Sequence, residues 1–230
     1  MTKIYCDIAD INLIRKFNKK NLVKGFTTNP SLMRKAGAKD YTKYSKEILN
    51  STKKPVSCEV FADNANEMIV QGFKISKWGK NVFVKIPVIN SKGNFMGKVI
   101  KKLNHNSIKL NITAVYTANQ VKKILTVINN KTKVIISIFA GRMADVGKDP
   151  MPVFKKSLNM SKRFKNVEIL WASTREPYNY LQAKKLKCNI ITVPPSIIEK
   201  IEKKGKTFQN LTKDTVKGFL LDSKKSKFKI

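Results

Sequence analysis

The chain has 230 residues, 42% of them hydrophobic, and this length and composition predict a single domain over residues 1–230 with one large core. No apolar run approaches the ~18 residues of a membrane helix, and the opening MTKIYCDIAD lacks a signal-peptide core, so we expect a cytoplasmic protein without a membrane partner. The net charge of +32 comes mainly from lysines spread along the chain, which indicates a solvated basic surface without a specific nucleic-acid partner.

Short apolar segments rich in β-branched residues predict eight strands. In chain order they are KIYCDIA (3–9), VKGFTT (23–28), VSCEVF (56–61), NVFVKIP (81–87), IKLNIT (108–113), VIISIF (134–139), VEILWAS (167–173) and CNIITVP (188–194). Between most of them, apolar residues recur three to four positions apart and predict helices. Examples are INLIRKFN, DYTKYSKEIL and ANQVKKILTVI.

The order of these elements predicts the fold. Strands that alternate with helices favour parallel pairing, and continuous apolar runs suit strands that are covered on both faces. Eight such units in 230 residues predict an α/β protein with a single closed (β/α)8 barrel, the TIM barrel. An open doubly wound sheet is the alternative, although the GxGxxG dinucleotide fingerprint is absent. The helical pattern TKDTVKGFLL lies beyond the one helix that the last strand–helix unit requires. We therefore expect an extra C-terminal helix and a basic tail over residues 205–230.

Polar residues collect at the C-terminal ends of seven predicted strands. They are Asp7, Thr27, Thr28, Asn29, Glu59, Lys85, Asn111, Thr113, Ser137, Arg142, Ser173 and Arg175. The C-terminal ends of parallel barrel strands lie on one rim, which is where enzymes of this fold hold their active sites. Because a buried polar group costs free energy unless it is paired, one shared site explains the set more simply than seven separate core positions.

Lys85 lies within the apolar run NVFVKIPVIN. Alternation along a strand directs Phe83 and Lys85 to the face opposite Val84, so we expect Lys85 to project into the barrel. Desolvation there would lower the lysine pKa from ~10.4 and give an amine that can attack a carbonyl and form a Schiff base. A structural ion pair between Lys85 and Asp7 or Glu59 is the alternative that the spacing leaves open.

The residue types that commonly bind metals give no indication of a metal site. The three cysteines, Cys6, Cys58 and Cys188, lack metal-ligand spacing and suit free thiols in a reducing compartment. His105 is the only histidine, and it precedes a predicted strand, at the end away from the polar rim. We therefore expect neither a metal nor an organic cofactor.

Five sequence blocks resemble the transaldolase family, especially its short members. They are GFTTNPSL (25–32), VFVKIP (82–87), LNITAVYT (110–117), SIFAGRMAD (137–145) and ASTRE (172–176). The TTNPSL and VKIP blocks, in this order and spacing, are the most specific part of the resemblance, which covers predicted strands one to seven. It implies a class I aldolase-type barrel that transfers a dihydroxyacetone unit between sugar phosphates in the pentose phosphate pathway.

The resemblance also implies catalytic roles for four rim residues. Lys85 would form a Schiff base with the C2 carbonyl of a ketose phosphate, either sedoheptulose 7-phosphate or fructose 6-phosphate. Asp7 would take the proton of the C4 hydroxyl and return it to the acceptor aldehyde. Glu59 and Thr113 would hold a catalytic water for the proton transfers of imine formation.

A second group is implied to bind the substrate, and it comprises Thr28, Asn29, Asn111, Ser137, Phe139, Arg142, Ser173 and Arg175. Within this group, the two asparagines would bond substrate hydroxyls. The two arginines, helped by the two serines, would clamp a phosphate. Only five arginines occur in the chain, and planar guanidinium groups suit phosphate.

Two positions separate transaldolases from fructose-6-phosphate aldolases, the relatives that release free dihydroxyacetone. The aldolases tend to carry glutamine where this chain has Glu59, and tyrosine where it has Phe139, so the resemblance favours a transaldolase. A weaker alternative is a non-catalytic barrel that binds nucleic acid through its basic surface. Short family members form pentamers and decamers, so we expect a homo-oligomer in which the C-terminal helix reaches a neighbouring subunit.

Overall fold

The computed structural model of the protein describes residues 1–203 and 205–227. Eight parallel strands form a closed barrel in chain order. They are β1 (Lys3–Asp7), β2 (Val23–Thr27), β3 (Val56–Glu59), β4 (Val82–Pro87), β5 (Leu110–Val115), β6 (Val134–Phe139), β7 (Val167–Ala172) and β8 (Ile190–Val193). Each overlaps the segment predicted for it, so all eight predicted strands are confirmed.

The first and last strands pair with each other, which closes the sheet. Ile4 of β1 lies opposite Ile191 of β8 in parallel register. The predicted (β/α)8 barrel is therefore confirmed, and the open doubly wound alternative is wrong. The register also brings polar residues together, because Lys85 on β4 lies opposite Glu59 on β3 and Asn111 on β5.

Helices connect the strands and cover the outside of the barrel. In the described residues they are α1 (Ile11–Asn18), α2 (Pro30–Lys35), α3 (Tyr41–Ser51), α4 (Ala65–Ser76), α5 (Gly97–His105), α6 (Ala118–Leu125), α7 (Ala140–Ala144), α8 (Met151–Ser161), α9 (Tyr178–Lys185), α10 (Pro195–Glu202) and α11 (Phe208–Ser226). Short polar side chains fix where several of them begin. Asp10, Asp40 and Asn64 each accept a hydrogen bond from the backbone N–H three residues later. Thr117 and Gln120 form a capping box at the start of α6.

Strand side chains form two apolar layers because successive residues point to opposite faces. The inner cluster fills the barrel and includes Tyr5, Phe83, Leu170 and Ile190. The residues that alternate with them pack outward against the helices. Lys85 follows Phe83 by two positions, and its side chain therefore lies on the inner face, as predicted.

The predicted C-terminal helix is present as α11, and none of its residues is buried. Its apolar side chains face solvent, with Phe208 88% exposed and Phe219 69% exposed. Residues 228–230, the end of the predicted basic tail, lie outside the described residues. Within the two described ranges, we find no helix whose length and apolarity would let it cross a membrane.

Candidate active site

A polar cavity of about 350 Å³ lies at the C-terminal ends of the strands. Ten of the twelve predicted site residues line it: Asp7, Asn29, Lys85, Asn111, Thr113, Ser137, Phe139, Arg142, Ser173 and Arg175. The other two, Thr28 and Glu59, contact Lys85 from one side, as described below. Residues from β1, β4, β5 and β6 therefore meet in one cavity, at the rim where this fold usually holds its active site.

Lys85 is a buried amine, with 8% of its surface exposed. Its Nζ lies 3.1 Å from Glu59 Oε2 and donates a hydrogen bond of 3.1 Å to the carbonyl oxygen of Thr28. The ion pair that the sequence left open is thus present, and Glu59 rather than Asp7 is the partner. Burial of a charge is expensive unless it is paired, so Glu59 compensates the ammonium and is also within reach of its proton.

Asp7 ends β1 and stands at the side of the cavity next to β2 and β8. Its Oδ1 accepts a hydrogen bond of 2.6 Å from Thr27 Oγ1, which lies 2.5 Å from Thr192 Oγ1. Burial raises the pKa of the Asp7 carboxyl, because lost hydration outweighs the Thr27 bond and the Lys85 charge, which both lower it. A carboxyl with a raised pKa can accept and return a proton closer to neutral pH.

Glu59 lies in the wall between this cavity and a neighbouring aromatic one. The aromatic cavity, also about 350 Å³, is lined by Glu59 together with Tyr41, Phe61 and Trp78. The Tyr41 hydroxyl accepts a 2.7 Å hydrogen bond from the Glu59 N–H and donates a 2.9 Å bond to the Glu59 carbonyl. One phenol therefore holds the Glu59 backbone from both sides and fixes where its carboxylate emerges.

Asn111 and Thr113 on β5 present different hydrogen-bonding capacity to the cavity. The Asn111 amide is oriented by two bonds, since its Nδ2 donates to Ser57 Oγ at 2.9 Å and its Oδ1 accepts from Ser137 Oγ at 2.7 Å. Thr113 Oγ1 is buried and has no hydrogen-bond partner among the described residues. A buried hydroxyl in that state is suited to bind a water or a substrate oxygen.

Two of the predicted substrate-binding residues have side chains that already serve the fold. Asn29 caps α2 by accepting a 2.9 Å hydrogen bond from the Leu32 N–H, although it still lines the cavity. The Thr28 hydroxyl donates to the Ser57 carbonyl at 2.7 Å and does not line the cavity. Thr28 instead contributes its own carbonyl, which accepts from Lys85.

The two rim arginines differ in their surroundings. Arg175 donates to both carboxylate oxygens of Asp145, from Nε at 3.0 Å and from Nη2. This pairing lowers the pKa of Asp145 and raises that of Arg175. Arg142 is exposed at the cavity edge and forms no ion pair within the described part of the chain. Arg142 is therefore the more available guanidinium for an anion.

Close backbone packing holds the arginine-bearing segments together. A Cβ atom at Gly141 would lie 1.6 Å from the carbonyl oxygen of Ser173, so only glycine fits there. Ser173 itself adopts a left-handed conformation with φ of 62°. The contact joins the start of α7 to the turn after β7, and both segments line the cavity.

Sequence reasoning missed several residues that support the site. Ser57, Tyr41 and Asp145 form hydrogen bonds with the predicted site residues Asn111, Glu59 and Arg175. Thr27, one of the polar residues at the strand ends, donates to Asp7, and Thr192 supports the site through its contact with Thr27. The sequence contains a signal for Thr192, because it is the polar residue of the otherwise apolar strand β8. The spacing of Tyr41 predicts its place on a helix, but nothing in the sequence indicates its hydrogen bonds to Glu59.

Among the described residues, no group of three or more His, Cys, Asp or Glu is arranged to hold a metal.

A solved structure with a similar fold is the crystal structure of inosine 5' monophosphate dehydrogenase from Legionella pneumophila. It matches with a TM-score of 0.57 and 12% sequence identity, over 83% of this chain and 57% of that chain. At this identity the likeness concerns the barrel fold alone.

Sequence comparisons identify the family of the chain as well as its fold. The family model described as "Transaldolase/Fructose-6-phosphate aldolase" matches residues 4–230. A "Probable transaldolase" from Nitrosopumilus maritimus (strain SCM1) is 33% identical over 229 residues, which cover 98% of this chain and 96% of that protein. Another from Leptospira biflexa serovar Patoc is 35% identical over 223 residues, which cover 96% and 98%. The resemblance read from the five sequence blocks is thus confirmed, and the chain belongs to the transaldolase/fructose-6-phosphate aldolase family.

Proposed function

We propose that this protein is a transaldolase that transfers a dihydroxyacetone unit from a ketose phosphate to an aldose phosphate through a Schiff base on Lys85. The observation that carries the proposal is a buried lysine amine at the C-terminal rim, 3.1 Å from a carboxylate and facing a polar cavity. A lysine in such a setting is a suitable nucleophile towards a ketone. Sedoheptulose 7-phosphate and fructose 6-phosphate are the donors we propose, within the pentose phosphate pathway.

The first half of the reaction would build the imine. Glu59 takes a proton from Lys85, whose neutral amine attacks the C2 carbonyl and forms a carbinolamine. Glu59 and the unpartnered Thr113 hydroxyl hold a water that relays protons while the carbinolamine loses its C2 oxygen as water. The product is a protonated imine, which attracts the electron pair of the neighbouring carbon–carbon bond.

The second half would break and remake that bond. Asp7 accepts the C4 hydroxyl proton, the C3–C4 bond breaks, and its electron pair enters the protonated imine to give an enamine. The aldehyde product leaves, and an acceptor aldehyde takes its place. The enamine carbon then attacks the acceptor while Asp7 returns the proton to the new hydroxyl. Water then hydrolyses the resulting imine, which releases the ketose product and frees the Lys85 amine. The raised pKa of Asp7 supports this role, because the same group must both accept and donate.

Substrate orientation is assigned to the rest of the rim. The fixed Asn111 amide and Asn29 would bond substrate hydroxyls, and Arg142 would bind the phosphate, with Arg175, Ser137 and Ser173 nearby. The exposed position of Arg142 at the cavity edge supports this choice. Guanidinium and phosphate form paired charge-assisted hydrogen bonds. A substrate whose phosphate is bound by Arg142 and whose C2 is bound by Lys85 would be limited in length by the distance between these two residues.

A fructose-6-phosphate aldolase that releases free dihydroxyacetone is the second candidate, because the family includes both activities. Phe139 lines the cavity and has no hydroxyl to help protonate the enamine carbon, which favours transfer over release. The test is an assay with fructose 6-phosphate, with and without erythrose 4-phosphate. Sedoheptulose 7-phosphate formed only with the acceptor supports the transaldolase, and free dihydroxyacetone formed at a similar rate without it supports the aldolase.

We also propose that the chain acts in the cytoplasm as one domain over residues 1–230 and as a homo-oligomer, a pentamer or decamer. The exposed apolar residues of α11 support an oligomer, because a helix with no buried residue gains stability from a partner surface. Light scattering of the full chain tests this, and a monomer would contradict it.

A non-catalytic nucleic-acid-binding barrel would be indicated by tight, salt-sensitive RNA binding without any turnover.

A further inference from the structure

A larger cavity lies at the opposite end of the barrel, where the strands begin. It has a volume of about 670 Å³, within the range typical of small-molecule sites. Six lysines line it, one at or near the start of each of the first six strands: Lys3, Lys24, Lys53, Lys80, Lys109 and Lys133. Parallel strands all begin at the same end of the barrel, so lysines far apart in the sequence meet around one opening. We call this set the basic mouth.

Positive charge at the basic mouth is largely uncompensated. Glu168 is the one acid among the described residues that line the cavity, and Lys3 already binds it at 2.7 Å. Lys109 donates to the Lys80 carbonyl, and burial, followed by the charge of Lys133, lowers the pKa of Lys109. Five of the six lysines have no acidic partner in the described part of the chain: Lys24, Lys53, Lys80, Lys109 and Lys133. An anion among them would relieve their mutual repulsion.

The floor of the cavity gives it depth. Tyr5 and Phe83 of the inner cluster form it and are 3% and 5% exposed, and the Lys109 ammonium lies 5.4 Å from the centre of the Phe83 ring. Leu49 and Pro55 add apolar wall. A concave opening with charge around its edge suits a short anion that enters it better than a nucleic-acid strand that would lie across it.

We propose that the basic mouth binds a polyphosphate group, carried either by inorganic polyphosphate or by a nucleoside triphosphate. Several linked phosphates can contact lysines from different strands at once, whereas a single phosphate offers fewer contacts. Lysines are flexible point charges, which suits a chain of phosphates without a fixed geometry. The inference does not rest on the function proposed above, because the inner cluster separates the two ends of the barrel.

Calorimetric titration of the full chain at physiological ionic strength provides the first test. We expect saturable binding of inorganic tripolyphosphate and ATP, and binding of AMP that is about tenfold weaker or more, because AMP offers a single phosphate. Tighter ATP than tripolyphosphate would identify a nucleotide as the source, and the reverse would identify inorganic polyphosphate. No saturable binding of either would overturn the inference, as would equal affinity for AMP.

Matched variants separate this cavity from the general basic surface. Lys24→Ala/Lys80→Ala/Lys133→Ala should weaken tripolyphosphate binding by about tenfold or more. The control, Lys155→Ala/Lys162→Ala/Lys165→Ala, removes the same charge from exposed lysines of another surface groove and should change affinity by less than about twofold. Equal weakening by both triple variants would indicate non-specific attraction and overturn the proposal.

Three further measurements test the site without the lysine variants. In the unaltered chain, tripolyphosphate should slow backbone hydrogen exchange at residues 80–83 and 109–111, and unchanged exchange there would contradict the site. Arg142→Ala should leave tripolyphosphate affinity unchanged, and loss of binding in that variant would move the anion to the opposite cavity. An RNA oligonucleotide that binds more tightly than ATP and competes with it would make nucleic acid the ligand, contrary to the proposal.

Discussion

Replacing Tyr41 with phenylalanine tests how the Glu59 carboxylate is held. The change keeps the ring, which packs 4.3 Å from Phe61 and 5.6 Å from Trp78 between ring centres, and removes only the hydroxyl. That hydroxyl makes two hydrogen bonds, of 2.7 and 2.9 Å, to the Glu59 N–H and carbonyl. Burial raises the pKa of the Tyr41 phenol, so it stays protonated and able to donate.

The size of the effect follows from these two bonds. Losing each one costs about 1 kcal/mol net, and leaving the partly buried Glu59 N–H and carbonyl without partners adds to this, so we expect a total loss of about 2–3 kcal/mol. Tyr44→Phe, on the same helix α3, is the matched control because its hydroxyl makes one 3.3 Å bond to the Ala36 carbonyl. It should cost less than about 1 kcal/mol.

Urea denaturation of both variants measures the stability difference, and the initial rate of adduct formation with fructose 6-phosphate and borohydride measures the functional one. Tyr41→Phe should slow adduct formation, because the Glu59 carboxylate is less firmly held beside Lys85. Tyr44→Phe should not. If Tyr41→Phe is no more destabilising than Tyr44→Phe and reacts at the normal rate, the assignment of Tyr41 as the residue that positions Glu59 is refuted.

Three other substitutions test separate parts of the site. Asp7 binds its proton more tightly in the folded chain than its ordinary value of 3.8 implies, so its ionisation destabilises the fold once the pH exceeds that value. Asp7→Asn should therefore gain stability at pH 7 relative to the parent and show a smaller gain near pH 4; equal gains by urea denaturation would contradict this. Gly141→Ala brings a Cβ within 1.6 Å of the Ser173 carbonyl, so the segment must move, and a crystal structure with an unmoved turn would refute the clash. Arg142→Ala should raise the KM for fructose 6-phosphate by about tenfold or more, while Lys148→Ala, which does not line the cavity, should leave it unchanged.

Much of the fold was predictable because it depends on local patterns that repeat eight times. Each strand is a short apolar run, and the side-chain alternation that directs Lys85 inward needs only its immediate neighbours. The rim residues were predictable for the same reason, since the position of a polar residue at the end of a strand decides which end of the barrel it occupies. Closure of the sheet followed from the number of units.

What could not be predicted depends on register and on contacts between elements. Spacing alone could not decide whether Asp7 or Glu59 pairs with Lys85, because the answer depends on Glu59 lying opposite Lys85 across β3 and β4. It also could not reveal that the Thr28 hydroxyl is used by the Ser57 carbonyl. Each of these contacts joins residues at least 26 positions apart, and local periodicity carries no information about them.

The mass of the peptide that contains Lys85, after borohydride reduction with fructose 6-phosphate, tests the central claim most directly. We predict a stable adduct of one reduced dihydroxyacetone unit or one reduced hexose phosphate on Lys85, which is absent in Lys85→Ala. An adduct on any other lysine, or one retained in Lys85→Ala, would contradict the account.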